Sequence, residues 1–242
     1  MLENDWKLRQ DSLLLRDALC EFFECRYGKI RFLEEKNIGS VRADMVAVLP
    51  AGLIGIEIKS HSDSYERLKN QTKEYDKYCD YNFLCAGSTH VHAKEHIPEH
   101  WGIVMMTVRD GVRFDVLREP TKNPKCKTER QAELLWHNEL AHILKTEKLP
   151  RYAGKSKKFI CGRLCEKLPP ERLKPLICDR LFERDYSRFE KDEQSIFKNP
   201  APKIKKRCVI TAFFDFSFHR RQTPYFFADS LKTSVALPMT TI

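Results

Sequence analysis

The chain has 242 residues, of which 42% are hydrophobic and 32% charged, as is typical of a soluble globular protein with one large domain or two small ones. No apolar run reaches the ~18 residues of a membrane span, and "MLENDWKLRQ" lacks a signal-peptide core, so we expect a cytoplasmic protein with no membrane partner. The net charge of +9 lies between Arg151 and Arg207, with 17 Lys and Arg against 8 Asp and Glu, which favours a polyanionic partner over a solvated helical surface.

The first third of the chain combines helix and strand patterns. Residues 5–27 repeat apolar side chains at helical spacing, which predicts a helix that ends at Gly28. "KIRFLEEKNIG" follows as a predicted first strand. Residues 41–60 hold two runs rich in Val, Ile and Leu on either side of Pro50-Ala51-Gly52, and this Pro/Gly pair is typical of a turn. We therefore predict a β-hairpin here.

The pattern then continues as a mixed α/β domain. A helix is predicted from Asp63, which would cap it with Glu66 three residues later. A strand ("YNFLCAG"), a polar connector ("STHVHAKEHIPEH") and an apolar strand ("WGIVMMTV") follow, and "RDGVRFDVLRE" is predicted to pair back through its Asp-Gly turn. The order of helix, three strands, helix and further strands indicates a mixed α/β sheet that ends near residue 120.

The rest of the chain is predicted to be mainly helical. Segments 129–147, 156–168 and 171–185 have helical patterns and are separated by Pro and Gly. The last stretch is aromatic and has no clear period. We predict three regions, namely an α/β domain at 1–120, a basic helical region at 121–197, and a linker with an aromatic tail at 198–242.

Three charges interrupt the apolar hairpin. Glu57 and Lys59 are two residues apart, so both side chains point to one face of the sheet. A short turn near Pro50 brings Asp44 opposite this segment, and directly opposite Glu57 in one of the allowed registers. Two carboxylates beside an ammonium group form a hard-oxygen site of the kind that binds Mg2+ and substrate phosphate. A structural ion pair at the end of the sheet is the competing interpretation.

The helix that follows the hairpin adds two polar side chains. Gln71 and Tyr75 are i and i+4, so they share a helix face, and Leu68 lies on nearly the same stripe. Because that stripe should pack toward the sheet, we expect Gln71 and Tyr75 to lie at the rim of the charged cluster. There they could hold a phosphate or a metal-bound water.

At these residues the sequence resembles the PD-(D/E)xK nuclease superfamily. The matching elements are Asp44, then Glu57-Ile58-Lys59 as ExK, then Gln71-Thr72-Lys73-Glu74-Tyr75 as the QxxxY motif of the RecB-like branch. The run "EIKSHSDSYERLKNQTKEY" is similar to a sparsely characterised bacterial and phage family in that branch, and the resemblance covers roughly residues 5–145. Two departures are Ala43 in place of the Pro of "PD" and His61 where the closer family often has an acid.

The resemblance implies roles for individual residues. Asp44 and Glu57 would be metal ligands, Lys59 the catalytic lysine, and Gln71 and Tyr75 the supporting motif. Members of the superfamily often have an additional acidic residue upstream of these motifs. In this sequence Glu35 is the preferred candidate, with Glu34, Glu21 and Glu24 as alternatives.

The resemblance also implies a fold and an activity. The expected fold is a restriction-endonuclease-like α/β core of helix, three-stranded antiparallel meander, helix and further strands, followed by a helical C-terminal region. The expected activity is Mg2+-dependent hydrolysis of phosphodiester bonds in DNA, with Mn2+ as an alternative ion and RNA as an alternative substrate. Candidate contacts to nucleic acid are Arg42, Lys155, Lys157 and Lys158. The context would be DNA repair or phage and defence biology, and the oligomeric state is open, with a dimer as one option.

Two other interpretations compete with the nuclease. The first is a catalytically inactive module that keeps the fold and binds nucleic acid or protein. The second is a zinc site at the connector histidines, which we disfavour because Pro98 interrupts the helix that would align them and the nine cysteines lack metal-finger spacing. The histidines concerned are His90, His92, His96 and His100.

Overall fold

A computed structural model describes residues 2–50, 52–59, 63–87, 90, 92–108 and 112–186, with side chains from residue 15 onward. The chain divides into two compact units, Met1–Lys203 and Ile204–Ile242, and all described residues belong to the first. The predicted aromatic tail at 198–242 and His61 therefore lie outside the described residues. Within the described segments, no helix combines the length and apolar character that crossing a bilayer requires.

The described residues form a mixed α/β fold with a helical C-terminal region, which confirms the coarse fold class. The elements in chain order are α1 (Leu2–Tyr27), β1 (Arg31–Ile38), β2 (Val41–Leu49), β3 (Gly52–Lys59), α2 (Leu68–Tyr78), β4 (Tyr81–Gly87), a 3-10 turn (Ala93–Glu95), β5 (Gly102–Val108), β6 (Val112–Arg118), α3 (Thr128–Ala132), α4 (His137–Thr146), α5 (Lys157–Lys167) and α6 (Pro170–Phe182).

A single six-stranded sheet carries the strands in chain order, β1 to β6. The first three strands form an antiparallel meander, β3, β4 and β5 run parallel, and β6 returns antiparallel to β5. The parallel step from β3 to β4 needs a crossover, and α2 provides it. This crossover is what brings α2 back across the strand that carries Glu57 and Lys59.

Helices cover both faces of the sheet. On one face, here called the α1 face, Leu19 and Phe23 pack with Met45, Ile56 and Phe83. On the other, here called the α2 face, the buried side chains of α2 share one apolar cluster with those of α3 to α6. The predicted domain boundaries stay predictions, but the described helices after residue 120 pack on the same core as the sheet.

The β2–β3 hairpin has the predicted register. Met45 lies opposite Ile56 and Leu49 opposite Gly52, so the connection is two residues long and contains Pro50. A turn this short fixes the pairing of both strands. It brings Asp44, one residue before Met45, to the level of Glu57.

Two helix predictions were wrong in their boundaries. The helix predicted from Asp63 begins instead at Leu68, its first fully buried residue; of the five preceding residues only Tyr65 is half-buried, and the other four are exposed. The helix predicted over 129–147 is two helices, α3 and α4. The helical conformation is interrupted before Trp136. The Trp136 backbone N–H donates to the Glu139 carboxylate at 2.6 Å, and this hydrogen bond caps the start of α4.

The segment after β6 is anchored to α2. The buried Asn123 side chain donates to the backbone carbonyls of Asp76 at 2.8 Å and Cys79 at 2.7 Å. These bonds satisfy two carbonyl groups at the C-terminal end of α2 that have no helical partner. The anchor therefore fixes the helix that carries Gln71 and Tyr75.

Candidate metal centre

The Tyr75 hydroxyl lies where β2 and β3 separate. It accepts a hydrogen bond from the Asp44 backbone N–H at 3.0 Å, and it lies 3.1 Å from the Ile56 carbonyl oxygen and 3.0 Å from Glu57 Oε2. Nearby, the Ile58 backbone N–H donates to Asp44 Oδ2 at 2.8 Å. Side chains thus take the place of ladder hydrogen bonds at this level, and the two strands are held apart around the carboxylates.

The side chains of strand β2 switch from one face of the sheet to the other at Asp44. Ala43 packs in the α2-face cluster and Met45 in the α1-face cluster, although residues two apart in a regular strand point to the same face. The half-buried Asp44 sits between them.

Strand β1 has a matching irregularity. Leu33 and Ile38 both pack on the α2 face although they are five residues apart, and Glu35 between them has a positive φ of 49°. By strand pairing, Glu35 lies at the level of Asp44. The alternation is therefore broken in both strands beside the same carboxylate, as β-bulges do near functional sites.

Glu57 is the centre of a hydrogen-bonded network on the α2 face. Its Oε1 accepts a short hydrogen bond from Gln71 Nε2 and lies 3.2 Å from Lys59 Nζ, while its Oε2 faces the Tyr75 hydroxyl. Gln71 Oε1 in turn accepts from Lys59 Nζ at 3.2 Å. The structure brings all five predicted catalytic residues together, since Asp44 joins this network through Tyr75.

Burial and charge shift the ionisation of the two acids. Burial, reinforced by the negative charge of Asp44, raises the pKa of Glu57 to about 7. Burial also raises the pKa of Asp44, although its hydrogen bond from Ile58 and the charges of Arg16 and Lys59 act in the opposite direction. The pKa of the buried Tyr75 hydroxyl is raised as well, by burial and by the two carboxylates, so Tyr75 is a proton donor at neutral pH.

Two residues that the sequence did not single out position Tyr75. A Cβ at Gly55 would lie 2.3 Å from Tyr75 Cδ1, so only glycine lets the ring lie flat on β3. On its other side, the buried Trp101 ring contacts Tyr75 edge-on at a centroid distance of 5.5 Å. The signal for Gly55 is a glycine inside an apolar strand, which indicates close approach of another group.

The preferred upstream acid, Glu35, does not join the carboxylates. Arg16 Nη2 and Arg42 Nε each lie 2.7 Å from its oxygens, so both arginines neutralise it. Its charge nevertheless contributes to the raised pKa of Asp44. Among the alternatives, Glu34 lies 3.6 Å from Arg16, and Glu21 and Glu24 are exposed on α1. Sequence analysis missed Arg16, whose charge lowers the pKa of Asp44.

The predicted nucleic-acid contacts lie on the surface. Arg42 is exposed and holds Glu35, Lys155 and Lys158 are exposed, and Lys157 is half-buried. All three lysines belong to α5 or to the turn before it.

The four connector histidines do not converge on one point: His90 and His96 both contact Tyr65, whereas His92 and His100 have other partners. His90 Nδ1 lies 2.8 Å from the Tyr65 hydroxyl, His96 stacks on the Tyr65 ring, and His92 pairs with Glu95. His100 Nε2 lies 2.9 Å from Asp76. The connector contains the 3-10 turn Ala93–Glu95, and His90 is buried. In the part of the chain that the structure describes, no three His, Cys, Asp or Glu side chains converge as a metal-ligand group.

The comparisons with known proteins give a family. Residues 14–209, about four fifths of the chain, match the family described as bacteriophage P4 protein cII. The chain belongs to this family. A solved protein of unknown function from Silicibacter pomeroyi is similar to it with a TM-score of 0.35 and 19% identity, over 52% of this chain and 84% of that one. No curated protein matches the chain.

Proposed function

We propose that this member of the phage P4 cII family is a metal-dependent nuclease that hydrolyses phosphodiester bonds in DNA. The observation that carries the proposal is the convergence of Asp44, Glu57, Lys59, Gln71 and Tyr75 in one hydrogen-bonded network. These residues were selected from the order of a motif, and the fold joins them from two strands and a helix. A solvated surface or an isolated ion pair would not need all five.

The arrangement of strands and helices supports the same proposal. The order of α1, an antiparallel meander, α2 and further strands agrees with the order that the resemblance implies for a restriction-endonuclease-like core, and this agreement supports the proposal. Helices on both faces enclose the sheet, and the charged residues lie where β2 and β3 separate. In such a fold the activity belongs to the site rather than to the scaffold.

The donor set fits a hard divalent cation such as Mg2+ or Mn2+. Mg2+ is bound by one or two carboxylates, with water and substrate phosphate as its other ligands. Asp44 and Glu57 supply two carboxylates; burial and then the negative charge of Asp44 raise the pKa of Glu57, and a cation between the two would offset that charge. No hydrogen bond from the described residues reaches Asp44 Oδ1, which leaves this oxygen for the ion. When bound, a divalent ion supplies Lewis-acid activation of water and of the phosphodiester.

The other side chains orient these groups. Tyr75 keeps its proton and directs it toward Glu57 Oε2, which fixes the rotamer of the carboxylate. Gln71 donates to Glu57 and accepts from Lys59, so one amide sets the position of both. Lys59 Nζ, 3.2 Å from Glu57 Oε1, is placed to hold the attacking water and to offset negative charge in the transition state.

A second candidate is a nucleic-acid-binding module without turnover. It is favoured by the fact that both oxygens of Glu57 already accept contacts from neighbouring side chains. If Gln71 and Lys59 remained on Glu57, that carboxylate would stay closed to a cation. Salt-sensitive DNA binding without cleavage under any divalent ion distinguishes this candidate.

The proposal is tested with a substrate panel of linear, circular and branched duplex DNA, single-stranded DNA and RNA, each in Mg2+, Mn2+ and EDTA. Wild-type protein should cut at least one DNA form only with a divalent ion. Lys59→Met, which keeps the length of the side chain, should lower the rate by on the order of 100-fold or more. Lys122→Met, on the exposed segment beside Asn123, is the matched control and should cut at the wild-type rate. Cleavage by Lys59→Met at the wild-type rate would refute the mechanism.

A further inference from the structure

An aromatic and basic surface that the nuclease chemistry does not use lies at the start of α5. The Phe159 ring is 36% exposed, and cations flank it: Arg163 Cζ and Lys155 Nζ lie 5.3 and 5.7 Å from the ring centroid. The Tyr152 ring contacts it edge-on at 5.5 Å. We call this surface the α5 patch, defined by Tyr152, Lys155, Lys157, Lys158, Phe159 and Arg163.

The positive charge of the α5 patch is largely uncompensated. Lys155, Lys157 and Lys158 form no ion pair with any described residue, and Arg163 pairs only with the exposed Glu166. The basic residues of α6, and Arg184 just after it, differ from those of the patch because each forms an ion pair with a carboxylate. Those pairs are Arg172–Glu147, Lys174–Asp80, Arg180–Glu183 and Arg184–Glu139. Among the described residues, the patch therefore groups several cations whose charge is available to an external anion.

We propose that the α5 patch binds single-stranded nucleic acid, with an unpaired base stacked on Phe159 and backbone phosphates on Lys155, Lys157 and Lys158, and that the bound strand is the one that the candidate metal centre cuts. The binding part of this proposal stands on the patch alone. The part in which the strand is cut rests on the proposed nuclease function.

The chemistry of the patch selects a single strand. The part-exposed Phe159 ring, with Lys155 and Arg163 over it, combines an aromatic surface for stacking with charges for the backbone, and proteins hold unpaired strands with these two features. The bases of a duplex are stacked on each other and present no free face to a ring on a helix surface. Duplex binding at this patch would therefore use the lysines and not Phe159.

The test measures the fluorescence anisotropy of labelled 20-mers, oligo(dT), oligo(U) and a DNA duplex, in EDTA with the full-length protein. Phe159→Ala should weaken binding of the single strand about tenfold, the free energy of one stacked base, and leave duplex binding unchanged. Phe159→Tyr should retain the wild-type affinity. Leu117→Ala is the matched control, because Leu117 is an exposed apolar residue on β6 and is 61% exposed.

The charged part is tested by salt dependence. The slope of log K against log salt is negative, and each single-strand phosphate contact contributes about −0.7 to it. Replacing Lys155, Lys157 and Lys158 together by Gln should therefore make the slope for the single strand less negative by about 2. Lys122→Gln should leave the slope unchanged.

Two results would overturn the proposal: a Phe159→Ala protein that binds both single strands like wild type, or one that loses duplex binding to the same degree. Tighter binding of oligo(U) than of oligo(dT), with the same loss in Phe159→Ala, supports the patch and makes RNA the strand that it holds. Because EDTA prevents metal-dependent cleavage, binding and cutting are read separately. A protein that binds as expected but never cuts retains the patch and refutes only the nuclease.

Discussion

Replacing Glu57 by Gln should stabilise the protein at alkaline pH while it abolishes the proposed activity. The folded state raises the pKa of Glu57 from 4.5 to about 7, because the carboxylate is buried beside Asp44. A rise of this size corresponds to about 3 kcal/mol against folding once the carboxylate ionises. The neutral amide of Glu57→Gln has the same shape and does not carry this cost.

The pH dependence follows from the direction of the shift. Between pH 4.5 and about 7 the unfolded state loses the Glu57 proton while the folded state keeps it. Because the folded state then binds more protons, the free energy of unfolding falls as pH rises through this window, and the loss is complete above about pH 7. Glu57→Gln removes this dependence. Its advantage over wild type should be about 1 kcal/mol at pH 5 and up to ~3 kcal/mol at pH 8, reduced at both by the loss of the contact with Lys59.

The assay is urea unfolding in EDTA at several pH values from 5 to 8.5, which gives the free energy of unfolding of each variant. Glu34→Gln, which removes one exposed negative charge from strand β1, is the control. The free energy of unfolding of this variant should differ from that of wild type by the same small amount at every pH. A constant difference between Glu57→Gln and wild type across the range would refute the reasoning. So would a loss of stability that grows with pH.

Three further predictions concern the same centre. Tyr75→Phe should lower the free energy of unfolding by about 1–3 kcal/mol in urea titrations, because the Asp44 backbone N–H loses its acceptor and Glu57 Oε2 loses its donor; an unchanged midpoint would contradict this. Gly55→Ala should cost about 1–3 kcal/mol by overpacking, since its Cβ meets the Tyr75 ring, and should reduce cleavage together with stability; a fully stable and active variant would show that the close contact is not needed. Mn2+ at about 100 times its dissociation constant should stabilise wild type by roughly 2.7 kcal/mol in thermal unfolding, and Asp44→Asn should lose this gain; an equal gain in both would place the ion elsewhere.

The core of this arrangement was predictable because short-range rules fix it. A two-residue turn sets the register of β2 and β3, so the position of Asp44 near Glu57 follows from Pro50 and its neighbours. Helical spacing puts Gln71 and Tyr75 on one face, and the crossover from β3 to β4 aims that face at the sheet.

The remaining features depend on tertiary contacts that have no local pattern. The positive φ of Glu35 and the change of facing at Asp44 exist because two strands separate around the Tyr75 hydroxyl. The neutralisation of Glu35 depends on Arg16, which is distant in sequence and reaches it from α1. The late start of α2 and the break before Trp136 reflect where packing begins and where Glu139 can cap a helix, which periodicity does not reveal.

The position of a divalent ion decides between a nuclease and an inactive module of the same fold. Crystals grown with Mn2+ and measured for anomalous scattering locate that ion directly. We predict a peak within about 2.5 Å of Asp44 Oδ1 and of a Glu57 carboxylate oxygen, with Lys59 Nζ moved off Glu57 toward solvent or substrate. A map with no peak between Asp44 and Glu57, and with Gln71 and Lys59 still bound to Glu57, would contradict the proposed metal centre.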